Sequence, residues 1–277
     1  MKLVSYNDEG RPGWGMVDGT HVCDLSHRWP DLKAALCESV SSIADAAKSG
    51  VLIDLDRIIY APVIPNPGKI MCVGHNYESH RIETGREKTE HPSIFTRFAD
   101  SQVGHMQPII RPNASTMLDY EGELAVVIGQ GGRNIAAADA LAHVAGYACY
   151  NDASVRDWQW HTKQFTPGKN FPGTGAFGPW LVTSDEIPDP QALSVTTTLN
   201  GTVMQSQPTS EMIFPVAEII AYVSAFTPLS AGDVIVTGTP GGVGAKRQPP
   251  VWMQPGDVVE IAIPGIGTLQ NTVTAEA

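Results

Sequence analysis

"LSAGDVIVTGTPGGVG" runs from Leu229 to Gly244, and the pattern of its first half returns in "MQPGDVVEIAIP", Met253 to Pro264. In both, a Gly-Asp pair leads into a run of β-branched side chains. Glycine supplies the positive φ of a tight turn, and the Val/Ile run that follows favours a strand. The same turn feeding a strand twice is a cue for a β-rich roll or barrel rather than a βαβ wound sheet. The neighbouring segments agree. "LVTS", "SVTTTLNG" with a turn at Asn200-Gly201, and "GTLQNTV" all read as short strands. The fold class read from the residues is α+β, mainly β.

Upstream, "LDYEGELAVVIG" spans Leu118 to Gly129 and sets three acids, Asp119, Glu121 and Glu123, at alternating positions before an apolar run. The run reads as a strand buried on both faces. Extended geometry reaching back through the acids would put all three carboxylates on one face, where they repel. Either the strand frays there and the acids sit in water, or a cation neutralises them, since buried carboxylates are paired, protonated or metal-bound.

The rest of the chain divides at the proline-rich connector "APVIPNPGK", with a boundary near Asn66. Residues 1–66 are expected to form a small N-terminal α+β domain: short strands turning at Asp18-Gly19, then one helix over "DLKAALCESVSSIADAAKSG". Residues 67–277 form the main unit. Ile70 to Val73 read as a strand, residues 79 to 92 as a candidate mobile lid, and Asn134 as the cap of a helix over "IAAADALAHVAGY".

Composition bounds the function. The 277 residues are 42% hydrophobic and 17% charged, as in ordinary globular proteins. Net charge is −11, from 29 acids against 18 bases, and no basic cluster exceeds a pair. Nucleic acid is therefore not an expected partner. Neither is a membrane, because no long apolar run is present and the start "MKLVSYNDEG" lacks a signal-like core. The expected location is cytoplasmic. Cys23, Cys37, Cys72 and Cys149 form no C-x-x-C pair and are expected as buried free thiols; zinc chemistry has no support.

Three further stretches hold polar residues that packing would not require. In "CVGHNYESHRIETG", His80 and Glu83 share a face on any helical turn, and carboxylate beside imidazole is the minimal general-base pair. In "CYNDASVRDWQ", Asp152 follows an apolar segment and is either a turn cap or a ligand. In "TPGKNFPGTGAFGPW", Lys169 either reaches out to water or offers positive charge to an anion. The glycine-rich "TGTPGGVG" lacks the phosphate-loop lysine and the βα context, which excludes nucleotide binding; its amides and Thr239 suit a carboxylate.

Taken in order, "VGHNYESHRIETG", "PSIFTRF", "LDYEGELAVVIG", "YNDASVRDWQ", "GKNFPGTGAFGPW", "NGTVMQ" and "GDVIVTGTPGGVG" resemble the fumarylacetoacetate hydrolase superfamily, in its acylpyruvase and 2-hydroxyhepta-2,4-diene-1,7-dioate isomerase-like branch, over roughly residues 68 to 275. The resemblance implies a mixed β-roll core with flanking helices, a homodimer, and Mg²⁺ or Mn²⁺ held by Glu121, Glu123 and Asp152. It leaves Asp119 as a structural acceptor. It implies a catalytic His80-Glu83 dyad with Lys169, and substrate contacts from Thr239 and Gln205. Two departures, His75 where many relatives carry arginine or a neutral residue and Arg97 where many carry lysine, lie where substrate contacts are expected.

The activity this implies is hydrolysis of a carbon–carbon bond in a 2,4-dioxo acid of acylpyruvate type, by water activated at the dyad and an enolate stabilised by the metal. The alternative on the same residues is an oxo-acid decarboxylase, or an isomerase or tautomerase; the dyad favours hydrolysis or decarboxylation over simple isomerisation. A non-catalytic binding protein is disfavoured because every expected ligand position is retained.

Overall fold

The computed structural model describes residues 1–277. At its centre lies the strand Gly122–Ile128, hydrogen-bonded antiparallel to Val144–Asp152 on one side and to Val234–Val236 on the other. All seven of its residues are buried. Leu124, Val126 and Ile128 enter one apolar cluster, while Ala125 and Val127 enter a second on the opposite face. Burial on both faces explains the unbroken apolar run, each large side chain contributing about 1.5–3 kcal/mol.

This strand belongs to a twelve-stranded sheet. Val234–Val236 pairs in parallel with Ile70–Gly74, so the segments following these two strands, which carry Thr239 and His75, emerge at the same end. A second sheet of five strands contains the hairpin Ser194–Leu199 and Thr202–Pro208, turning at Asn200 and Gly201 with φ of 51° and 77°. The repeated turn is real in atomic detail. Gly232 and Gly256 have φ of 78° and 96°. In each copy the aspartate that follows accepts from the amide three residues earlier, Asp233 from Ser230 at 2.8 Å and Asp257 from Gln254 at 2.7 Å. One copy feeds the large sheet and the other the small one.

Residues 1–66 add their strands to the large sheet. Lys2–Asp8 pairs with Gly175–Thr183, and Leu3, Trp14, Leu25 and Ile43 share a core with Cys72, Val127 and Phe177. The helix expected over residues 31–50 is two, Leu32–Ala35 and Val40–Ala47, because Ser39 caps the second by accepting from Ser42. The helix expected after Asn134 is also corrected. Asn134 is left-handed at φ 55°, unsuited to an N-cap, and a 3₁₀ turn over Ala137–His143 gives way to strand at Val144. All four cysteines are free; Cys37 is exposed, the other three buried.

His105 gives a prediction about acid stability. Its Nδ1 accepts from the Gln270 amide at 3.1 Å and its ring lies edge-on to Tyr60. Burial pushes its imidazole down to about 4. Between about 6.5 and 4 the unfolded chain therefore binds more protons than the folded one. Stability is full above about 6.5 and drains as pH falls toward 4. With the ring partly solvated, the loss is about 1–2 kcal/mol. Urea midpoints measured across that window should fall less steeply for His105→Gln than for the wild type; equal slopes would contradict this.

Candidate active site

Antiparallel pairing brings the acids together. Gly122 lies opposite Asn151 and Glu123 opposite Tyr150, so Asp152, at the end of its strand, falls beside Glu121, whose carbonyl accepts from the Asp152 amide at 2.8 Å. The strand is interrupted at Tyr120-Glu121, with Leu118–Asp119 pairing separately. Asp119 thereby leaves the common face. Its carboxylate accepts from the amides of Tyr120, Gly244 and Ala245 and from Arg156, the structural role expected of it.

Glu121, Glu123 and Asp152 present oxygens that all lie within 4.8 Å of one another, and all three residues are buried. Lys169 Nζ bridges two of them, 2.6 Å from Glu121 and 2.5 Å from Asp152. Arg156 reaches Glu121 at 2.7 Å and Arg97 reaches Asp152 at 2.5 Å. Glu123 has only the Gly238 amide. Burial alone would raise Glu121, but Arg156 and Lys169 outweigh it and hold the carboxyl below its ordinary value. Glu123 goes the other way: burial, then the charges of Asp152 and Glu121, push it well above. Counting Asp119, four buried carboxyl groups stand against the three buried cations Arg97, Arg156 and Lys169, so full ionisation, which a bound divalent cation would favour, leaves one negative charge in excess. A cluster of hard oxygens with surplus negative charge fits a divalent cation of the Mg²⁺ or Mn²⁺ kind.

Lys169 ends the short helix Thr166–Lys169. Burial would strip its proton, but Asp152 and Glu121 dominate and raise its pKa, so it stands as an ammonium and cannot be the base. The imidazole can. His80 sits on the helix Glu78–Thr84 with Nδ1 2.7 Å from Glu83 Oε1, and the other Glu83 oxygen accepts from the Gly242 amide at 2.8 Å. Ser79 Oγ accepts from the Gly241 amide at 3.0 Å. The lid expected from the sequence is therefore seated on the glycine-rich turn, and the turn's amides hold Glu83, which holds His80.

These groups line a cavity of about 100 Å³, room for several water-sized groups. His75, His80, Glu121, Glu123, Lys169 and Thr239 all reach it. Two residues expected to touch substrate are already engaged within the protein. Arg97 does not line the cavity: its side chain is fully buried, bonding to the Asp152 carboxylate, to the Ala153 carbonyl and to Thr174 and Ser101. Gln205 is also consumed. Its oxygen accepts from Gly122 and Thr197, and its amide donates to Thr239 and the Pro240 carbonyl, so it braces the turn against the acidic strand. Thr239 lines the cavity while donating to the Gly122 carbonyl at 2.9 Å.

The residue that sequence reasoning missed is Arg156, which bridges Asp119 and Glu121 and lines the cavity. The available signal was an arginine directly after the buried "ASV", where packing alone would not place a charge.

Known proteins agree with this architecture. The chain is 39% identical to an oxaloacetate tautomerase, mitochondrial, of Xenopus laevis, over 99% of this chain and 90% of that one. Its structure matches that of a fumarylacetoacetate hydrolase from the psychrophilic Exiguobacterium antarcticum with a TM-score of 0.88, at 37% identity and full coverage of both chains. It also matches maleylpyruvate hydrolase from Sphingobium sp. SYK-6, solved in complex with manganese(II) and pyruvate, with a TM-score of 0.83, at 26% identity and full coverage of both. The model of the fumarylacetoacetate (FAA) hydrolase C-terminal family matches residues 69–274, and the chain belongs to that family.

Proposed function

We propose that this protein is a divalent-metal-dependent tautomerase of a small 2-oxo dicarboxylic acid, interconverting the enol and keto forms of oxaloacetate. The observation that carries this reading is the 39% identity, across 99% of the chain, to a relative described by that activity. The acylpyruvate hydrolase expected from the dyad becomes the second reading, supported by the likeness to maleylpyruvate hydrolase.

Tautomerisation needs one proton moved at C3 and another at the oxygen on C2, with no water or oxidant consumed. His80 serves the carbon. Its Nδ1 is engaged by Glu83, leaving Nε2 to take the C3 proton or return it. When that proton leaves, the electron pair moves toward the C2 oxygen, and the cations lining the cavity, Lys169 and Arg156 beside the acids and Arg86 and Lys246 elsewhere in its wall, supply the positive charge to stabilise it. Glu121, Glu123 and Asp152 would hold the metal, which when bound supplies a Lewis acid for the 2-oxo acid. The proton on the C2 oxygen is exchanged with solvent water, which is not consumed, so a single protein carrier at the carbon suffices and the His-Glu pair serves tautomerisation as well as hydrolysis.

Enol-to-keto conversion should be faster with protein plus Mg²⁺ or Mn²⁺ than with metal and buffer alone, and chelator should remove the difference. Equal rates with and without the protein would sink the reading. Pyruvate release from an acylpyruvate, without tautomerase activity, would favour the hydrolase.

A further inference from the structure

His75 is the one departure from the family pattern that faces the cavity, and its setting is unusual. It is left-handed at φ 55°, immediately after Gly74. Its ring stacks on that of His80, centroids 5.1 Å apart and planes within 16°. Phe165 meets His75 edge-on at 6.1 Å, Phe95 meets Phe165 edge-on at 5.6 Å, and Lys169 Nζ lies 5.0 Å over Phe95. A continuous column of rings thus runs from the ammonium beside the acids to the imidazole of the dyad.

The hydrogen bonding orients the middle of that column. Thr84, at the end of the lid helix, spends its hydroxyl proton on the His80 and Arg81 carbonyls at 2.7 and 3.1 Å. Its oxygen is left to accept from His75 Nδ1 at 3.4 Å, a long contact whose donor must be the ring. Burial, with His80 and Arg86 nearby, pushes the His75 imidazole down to about 4, so the ring is neutral near pH 7.

We propose that His75 is a positioning residue: its ring, stacked on His80 and met edge-on by Phe165, fixes the plane of His80 so that Nδ1 stays on Glu83 and Nε2 stays toward the cavity. The inference rests on His80 being the proton carrier in the proposed tautomerase. A single hydrogen bond donated to Glu83 fixes one atom of His80 but leaves the ring free to turn about its own axis. A parallel face 5.1 Å away removes that freedom, and offset stacking at this distance is attractive. Because His75 touches both Thr84 and His80, the alignment is complete only when the lid helix is seated.

The test compares His75→Asn with His75→Phe. Asparagine accepts the left-handed backbone but has no ring, and phenylalanine restores a ring without imidazole chemistry. Tautomerase kcat should fall about tenfold or more in His75→Asn with KM within about twofold, the loss expected when a reacting group is misaligned, and His75→Phe should recover most of it. An independent reading uses ¹⁵N-histidine spectra with no substrate present. His80 should show one tautomer, Nδ1–H, in the wild type and His75→Phe, and a mixture in His75→Asn. If His75→Asn keeps wild-type kcat and a single His80 tautomer, the proposal is overturned. It is also overturned if His75→Phe is no better than His75→Asn. If the wild type shows no tautomerase activity, the function reading fails and the spectra alone decide the role of His75.

Discussion

Glu123→Gln is expected to abolish metal-dependent turnover while leaving the metal-free protein at least as stable as the wild type. The two effects have one cause. Glu123 has a single amide for company, and burial, then the charges of Asp152 and Glu121, push its carboxyl well above the ordinary value. Glutamine keeps an acceptor for the Gly238 amide and carries no ionisable group, so the metal-free fold is relieved of a burial and repulsion cost of about 1 kcal/mol. The cation loses an anionic ligand. Saturating Mn²⁺ should stabilise the wild type by about 2.7 kcal/mol at a hundred times Kd, and this gain should vanish in the variant. Turnover should fall at least on the order of 10²- to 10³-fold, the loss seen when one electrostatic stabiliser is removed elsewhere. Thermal unfolding with and without Mn²⁺ checks the first half, and a wild-type metal-induced rise in the variant would show that Glu123 is not a ligand.

His80→Asn separates proton transfer from metal binding. Asparagine fills much of the imidazole's space and can still reach Glu83, so the helix Glu78–Thr84 should stay seated through Ser79 and Glu83 on the turn at Gly241 and Gly242. The proton carrier is gone. Catalysis should drop by about 10²–10⁴-fold while the Mn²⁺-induced stabilisation stays that of the wild type. The opposite pattern in Glu123→Gln, where metal binding fails, makes the pair diagnostic. Wild-type turnover in His80→Asn would remove the base from the mechanism.

Much of this site was legible in the chain because its spacing is set by local geometry. Alternation put Glu121 and Glu123 on one face and the family resemblance joined Asp152 to them, helical spacing joined His80 to Glu83, and the doubled Gly-Asp turn announced two strand-feeding corners that the structure closes with the same bond. What stayed hidden depends on partners distant in sequence. Arg97 looks like a substrate contact until Asp152, fifty-five positions on, claims its guanidinium. Gln205 looks free until Gly122 and Thr239 use both ends of its amide. Arg156 holds Asp119 and Glu121, a pairing that no local pattern shows. The leading residues read as a unit of their own because a proline-rich connector follows them, yet the strand Lys2–Asp8 finds its partner at Gly175–Thr183. Local periodicity also merged two helices across Ser39, whose hydroxyl favours a cap over continuation.

The most direct test of the central claim follows oxaloacetate by NMR in D₂O with protein and Mg²⁺, recording deuterium arriving at C3 and pyruvate accumulating in the same sample. C3 exchange should be faster than with metal alone and abolished by chelator, with pyruvate rising no faster than in the protein-free control. Pyruvate growing in proportion to the protein, or C3 exchange indifferent to it, would contradict the tautomerase.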